Sequence, residues 1–230
     1  MNILGIIPAK SNSEGIKNKN FITIGKKKLI DFSLIELKKS KLISHKFVDT
    51  DSVKIANHAT KYNIRIPFLR EKKYAKKNSS ISLTIMNSLR KLEKFYSIKF
   101  DMIVLLQPTS PLRNLNDIHN SIKIFLNSKS DTLLSLSLID EPHPFKIRKI
   151  KKNYAVPIIN HKRKNMNRQG LPKYYKPNGA IYIVKRNYFL KNKSFTSSRS
   201  AFYIMPKERS INLDTNEDLL ILKNELKKNN

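Results

Sequence analysis

The sequence contains no cysteine. That excludes a disulfide framework, a thiolate-ligated metal and a catalytic thiol at once. It also lacks tryptophan, and it spends only five residues on glycine. Neither G-x-x-x-x-G-K-[ST] nor G-x-G-x-x-G can be traced, so the two familiar glycine-rich phosphate cradles are absent. No G-x-S-x-G supports a hydrolase triad. The five histidines, His45, His58, His119, His143 and His161, show no i,i+3 or i,i+4 pairing. No run reaches the roughly 18 apolar residues of a membrane span. The opening MNILGIIPAK has no basic leader before its short apolar run, so it reads as a buried first strand and not as a secretory signal. A cytoplasmic protein is expected.

Negative charge is scarce: 17 Asp and Glu stand against 46 Lys and Arg, a net +29. Such an excess suits an anionic partner. The lysines run the whole length of the chain among Asn and Ile, whereas a nucleic-acid module gathers them into a patch interleaved with aromatics. No specific nucleic acid and no membrane are therefore expected as partners; a basic nucleic-acid-binding protein is the alternative that rests on net charge alone. With 40% hydrophobic residues in 230, the chain can build one sizeable core.

Apolar runs alternate with helical spacings through the first two thirds. Strands are expected at 3–8, 46–50, 63–68, 101–106 and 131–138, and helices at 29–39, 52–62, 79–96 and 116–127, the last opened by Asn116 as cap. Residues 142–178 hold five of the ten prolines and read as an inserted arm with strand-like pieces at 145–150 and 154–159. Strands at 179–185, 201–205 and 210–214 and a helix at 216–227 close the chain. The alternation predicts a three-layer α/β domain, 1–230, around a mainly parallel sheet. Ligands of such sheets bind at the carboxyl ends of the strands.

Four segments put chemistry there. Residues 8–20 hold Lys10, Ser13, Lys19 and Asn20, a mixture of ammonium, hydroxyl and amide groups able to cradle phosphate. After the 101–106 strand, Pro108 and Pro111 fix a turn that presents Gln107, Thr109, Ser110 and Arg113. A basic, tyrosine-rich stretch from Arg168 to Tyr182 runs through Lys176 and Asn178. Asp214 follows the 210–213 segment where a metal-binding carboxylate would sit, ahead of Thr215 or Asn216 as a helix cap. Mg²⁺ suits one or two carboxylates together with substrate phosphates.

In order and spacing these segments resemble the acylneuraminate cytidylyltransferases, the synthetases of CMP-sialic acid and related nonulosonic acids. IPAKSNSEGIKNKN, residues 7–20, stands where that family has IPARGGSKGIPxKN. Asp49-Thr50-Asp51-Ser52 follows its short strand, and Arg70 to Ala75 loosely matches its RPxxLA. LQPTSPLR is complete at 106–113. Asn167 to Ile183 matches RRQxLPxxYxPNGAIYI, and Ser210 to Asp218 matches SIDID-x-x-x-D.

The resemblance implies a nucleotidyltransferase fold with a dimerisation arm and transfer of CMP from CTP to a nonulosonic acid. It also implies a requirement for Mg²⁺ and a homodimer. It would place Lys10, Ser13, Lys19 and Asn20 on the triphosphate and cytidine, with Arg70, Ser79 and Ser80 on the nucleotide side. Gln107, Thr109 and Ser110 would address the sugar, and Arg168, Lys176, Asn178 and Tyr182 would complete that side. Asp214 would hold the metal, with Lys10, Lys19 and Asp214 the catalytic set.

The chain departs from the pattern in several places. Lys10 replaces an Arg, Ser11-Asn12 a Gly-Gly pair, Glu14 a Lys and Asn212 an Asp. Asn167 and Gly170 replace an Arg and an Asp, and Asn87 stands near a His position. Glu14, Asn212 and Gly170 also allow a relative that binds nucleotide without turnover.

Overall fold

A computed structural model describes residues 1–11, 16, 18–76, 78–159 and 170–228. Its elements in chain order begin with β1 (Ile3–Pro8), β2 (Thr23–Ile24), β3 (Lys27–Lys28), α1 (Leu29–Lys39), β4 (His45–Asp49), α2 (Val53–Thr60) and α3 (Ile81–Tyr96). There follow β5 (Met102–Leu105), α4 (Leu115–Asn127), β6 (Thr132–Leu138), β7 (Arg148–Lys151) and β8 (Tyr154–Pro157). The chain closes with β9 (Tyr175–Lys185), α5 (Arg186–Asn192), β10 (Ala201–Ile204) and α6 (Asn216–Lys228).

Successive strand side chains point to opposite faces, so a strand apolar at every position must be covered on both. In β1, Ile3 and Ile7 enter one core while Leu4 and Ile6 enter another. Accordingly β1 lies inside a sheet of order β10-β6-β9-β5-β1-β4, parallel to both its neighbours. On one face Leu34 of α1, Ile55 of α2 and Ile122 of α4 join the core. On the other, Ile85 and Leu89 of α3 meet Phe189 of α5. The expected three layers are present, and the sheet is mainly parallel. Only β9 among the described strands of this sheet runs antiparallel, between β5 and β6. A third cluster packs Leu222 of α6 against Ile24, Leu29 and Leu213. It ties the loop before α6 to the segment that follows β1.

Several expectations are corrected. Residues 63–68 form no strand. Ile64 enters one core and Phe68 packs against the other, so the segment wraps the β4 edge instead of extending the sheet. Pro67 has no N–H for a ladder. Residues 210–214 form no strand either; the Leu213 N–H donates to the Thr109 carbonyl at 2.7 Å and docks the segment on the loop after β5. Asn114, not Asn116, caps α4, in a capping box with Asp117. Residues 175–178, counted with the arm, belong to β9, and Tyr175, Lys176 and Pro177 pair with β6. The two pieces of the arm form the exposed hairpin β7–β8.

Gly5 lies on the α1 face of β1. A Cβ there would sit 2.6 Å from Leu37 Cδ1 and 2.7 Å from Ile43 Cγ2. Both neighbours are buried, so they have no room to yield. Gly5→Ala is expected to cost about 1–3 kcal/mol by overpacking, read as a lower urea midpoint at unchanged m-value. An unchanged midpoint would show that α1 can move aside.

Candidate active site

The carboxyl ends of β1, β4 and β5 open on one edge of the sheet, and β9 begins there. β9 carries an irregularity at this point: its register against β6 shifts between Leu134 and Leu136. The Ser135 hydroxyl fills the gap, donating to Asn178 Oδ1 at 2.6 Å and accepting the Ile181 N–H at 2.8 Å. Such bulges re-aim the residues they carry. Here the bulge turns Gly179, at φ +76°, toward Gln107 and Asn212, whose side-chain oxygens lie 3.3 and 3.4 Å from where a Cβ would stand. The left-handed backbone and the crowding both exclude a larger residue.

Two cavities meet at this edge. The smaller, about 230 Å³, is lined by Lys10, Arg70, Ser79 and Thr109, together with Tyr74 and Thr84. The larger, about 620 Å³, is lined by Lys176, Asn178, Tyr182 and Asp214, together with Asn212 and Lys207. Gln107 lines both. A cleft of about 810 Å³ opens at the opposite end of the sheet, beside Phe100 and Lys185. It holds none of the segments marked by the sequence, and its Lys185 and Arg186 are paired to Asp131 and Glu93.

Around the smaller cavity the polar groups are partly committed. Arg70 is buried against Asp49: Nε donates to Oδ1 at 3.0 Å and Nη2 to the Asp49 carbonyl at 2.7 Å. Burial pushes the Asp49 carboxyl above its ordinary range, against the pull of the Arg70 guanidinium. Asn20 is buried and donates to the Lys10 carbonyl at 3.1 Å, which braces the chain leaving β1. Ser11 closes the same corner onto Asp51, its N–H donating to Oδ1 at 2.8 Å. Ser79 donates to the Lys73 carbonyl at 3.2 Å. Ser80 does not line the cavity; its hydroxyl caps α3, accepting the Leu83 N–H. Thr109 faces this cavity and not the larger one.

Around the larger cavity Asn178 is a hub and not a free hand. Its amide also donates to Ser210 Oγ at 3.0 Å and to Met205 Sδ at 3.2 Å. Ser110 is fully buried and donates to the Asn178 carbonyl at 3.2 Å. Lys176 is exposed; Tyr182 is half-buried, and burial raises its hydroxyl above the usual value. Lys19 is buried, its ammonium 2.9 Å from the Leu213 carbonyl and 3.1 Å from Asp214 Oδ1. Thr215 and Asp218 form the cap of α6: Thr215 Oγ1 accepts the Asp218 N–H, and Asp218 Oδ2 takes the N–H groups of Asp214 and Thr215. Ser13 and Arg168, together with Glu14, lie outside the described residues.

Sequence reasoning missed Tyr74, Lys76 and Thr84 in the smaller cavity and Asp140, Glu141 and Lys207 in the larger. The loose match at 70–75 reached Tyr74 but neither Lys76 nor Thr84, and no sequence signal distinguished the second group. It also gave no role to Arg113, which is buried beneath the junction. Arg113 Nη1 donates to the carbonyls of Gln107 at 3.2 Å and Ala180 at 2.7 Å.

Three comparisons bear on this edge. The family model described as cytidylyltransferase matches residues 4–227. The chain is 30% identical over 229 residues to the post-translational flagellin modification protein B of Campylobacter coli, covering 99% of this chain and 96% of the relative. It is 30% identical to the CMP-N,N'-diacetyllegionaminic acid synthase of Campylobacter jejuni, covering 96% and 93%. It is 26% identical to a pseudaminic acid cytidylyltransferase of the same species, covering 95% and 94%. Among solved structures, CMP:2-keto-3-deoxy-manno-octonic acid synthetase complexed with CTP superposes with a TM-score of 0.74 at 13% identity, covering all of both chains. At that identity the likeness shows the fold.

Proposed function

Because the chain belongs to the cytidylyltransferase family, we propose that it transfers CMP from CTP to the anomeric hydroxyl of a nonulosonic acid of the sialic, legionaminic or pseudaminic type. One observation carries the reading: two cavities, one beside Lys10 and Arg70 and one beside Lys176 and Lys207, share Gln107 as their common wall. The nucleoside takes the smaller cavity and the sugar acid the larger, with the triphosphate crossing between them past Gln107 toward Asp214, so the reacting atoms meet at Gln107. There the sugar oxygen bonds to the α-phosphorus, the bond from that phosphorus to the bridging oxygen breaks, and pyrophosphate departs while the hydroxyl proton is released.

Phosphoryl transfer asks a protein chiefly to position reactants and offset charge. Lys10 and Lys76 offset the triphosphate, and Lys176 the sugar carboxylate, since Lys207 is already paired with Asp140 at 2.7 Å. Gln107, placed at the junction, orients both. The net +29 raises the encounter rate of the protein with two anionic substrates.

Asp214 is the carboxylate that would hold Mg²⁺. It is exposed, Asn212 offers only a neutral oxygen, and Asp218 is spent on the cap of α6. A single carboxylate fits an ion held mostly by phosphates and water. When bound, the ion would offset charge on the phosphate oxygens.

Pyrophosphate release from CTP across a panel of nonulosonic acids tests the reading. Release with one member of the panel is expected. Silence throughout, with CTP bound, would favour a relative that binds without turnover.

The reading includes a homodimer and a cytoplasmic location; no described helix is long and apolar enough to cross a membrane. What supports the pairing is bare apolar surface. Phe202 and Ile204 of β10 are 56% and 44% exposed on the face opposite Tyr203, and Ile150 and Tyr154 stand out on the hairpin. Light scattering is expected to find a dimer, reduced to a monomer by Phe202→Glu with Ile204→Glu. A monomeric wild type would sink the pairing.

A further inference from the structure

Both oxygens of Asp214 already face donors. Lys19 Nζ lies 3.1 Å from Oδ1, and the Asn212 amide donates to Oδ2. The Lys19 side chain is only 11% exposed, so few waters can replace that carboxylate, and its second acceptor is the Leu213 carbonyl. Asp218 cannot help, and among the described residues no group of three ligating side chains assembles. A full positive charge therefore sits where a divalent cation would have to be attracted.

We infer that Lys19 guards Asp214: the nucleotide-free protein takes up no divalent cation at this carboxylate, and an ion enters only with a triphosphate. The inference rests on the nucleotidyltransfer reading above. A bound triphosphate would offer Lys19 anionic oxygens in place of Asp214 and so free that carboxylate to hold a cation. Charge at Asp214 stays balanced throughout. The phosphate-binding Lys19 expected from sequence and the carboxylate-bound Lys19 of the structure are then two positions of one side chain. Asn212 fits this arrangement, because its amide donates to Asp214 Oδ2, whereas a carboxylate there would repel Asp214 and compete with it for the Lys19 ammonium.

The test is Mn²⁺ titrated into nucleotide-free protein and followed by the electron paramagnetic resonance of the free ion. Wild type is expected to show no saturable site at Asp214. Lys19→Gln keeps an N–H for the Leu213 carbonyl but removes the charge, and is expected to tighten Mn²⁺ binding by roughly tenfold or more. Adding Asp214→Asn should remove that gain. Lys19→Met serves if the Gln variant misfolds by circular dichroism. Equal Mn²⁺ binding by wild type and the charge-free variant, whether both bind or neither does, overturns the inference. CTP binding, measured separately without metal, reports on the functional reading. Protein that ignores CTP yet gains Mn²⁺ on Lys19→Gln keeps the guard and loses the reading; protein that binds CTP without that gain does the reverse.

Discussion

Arg70→Met is expected to cost about 3–5 kcal/mol of stability at neutral pH, because it strands a buried carboxylate. The Arg70 side chain is 4% exposed and that of Asp49 is wholly buried. Arg70 Nε donates to Oδ1, while Oδ2 has no hydrogen-bond partner among the described residues, so Arg70 is the main compensation for that charge, with the Ser88 hydroxyl a smaller one. Even with the guanidinium in place, burial holds the Asp49 carboxyl above the 3.8 of a free aspartate. A raised acid contributes stability that is fully present below its unfolded pKa and lost as pH rises through its folded one. Removing Arg70 raises the folded value further and widens that window upward. The gap between wild type and Arg70→Met in urea denaturation should therefore be small near pH 4 and large at neutral pH. Arg70→Met with Asp49→Leu should recover much of the loss, since a buried ion pair exchanged for apolar groups is often tolerated. A pH-independent gap would mean that Arg70 acts through packing alone.

This pair marks the limit of what the sequence discloses. β1 and β5 were legible because every position of ILGIIP and MIVL is apolar, which only a strand covered on both faces satisfies. Residues 63–68 share the alternation of a strand, yet they turn around the sheet edge, because Ile64 and Phe68 find separate cores within five residues. Local pattern records that a side chain is apolar and not which core receives it.

The site shows the same division. The four segments converge on the carboxyl edge of the sheet, as strand order and loop chemistry imply. What a residue type cannot disclose is how its hydrogen bonds are spent. Asn178 and Ser110 read as hands extended to a sugar; in the structure both stitch the β9 bulge to its surroundings. Ser80, read beside Ser79 as a nucleotide contact, meets the donors of a helix end first.

The second large effect is expected from Arg113→Met, and it should differ from the first in its response to pH. Arg113 is 2% exposed and meets no carboxylate at hydrogen-bond distance among the described residues. Besides the Gln107 and Ala180 carbonyls it reaches Ser33 Oγ, at 2.7 Å, while Nε has no partner among the described residues. Methionine would leave two buried acceptors, the Ala180 carbonyl and Ser33 Oγ, without this donor, and the Gln107 carbonyl with only the Ser110 N–H, at about 3 kcal/mol. Arg113→Lys should recover little, because one ammonium cannot span acceptors on α1, on the loop after β5 and on β9. Burial pulls the guanidinium down to about 10, with Asp117 and Glu36 opposing, so it stays charged at neutral pH in both folded and unfolded chains. A base with a lowered folded pKa gains stability only as pH rises above that value, so no slope arises from it between about pH 4 and 8. The Arg113→Met deficit should thus be flat across the range where the Arg70→Met deficit grows. Since Arg113 fixes the backbone of Gln107, kcat/KM for both substrates should fall even at temperatures where the variant remains folded. A folded Arg113→Met with unchanged kcat/KM would free Gln107 from its dependence on this guanidinium and confine Arg113 to stability.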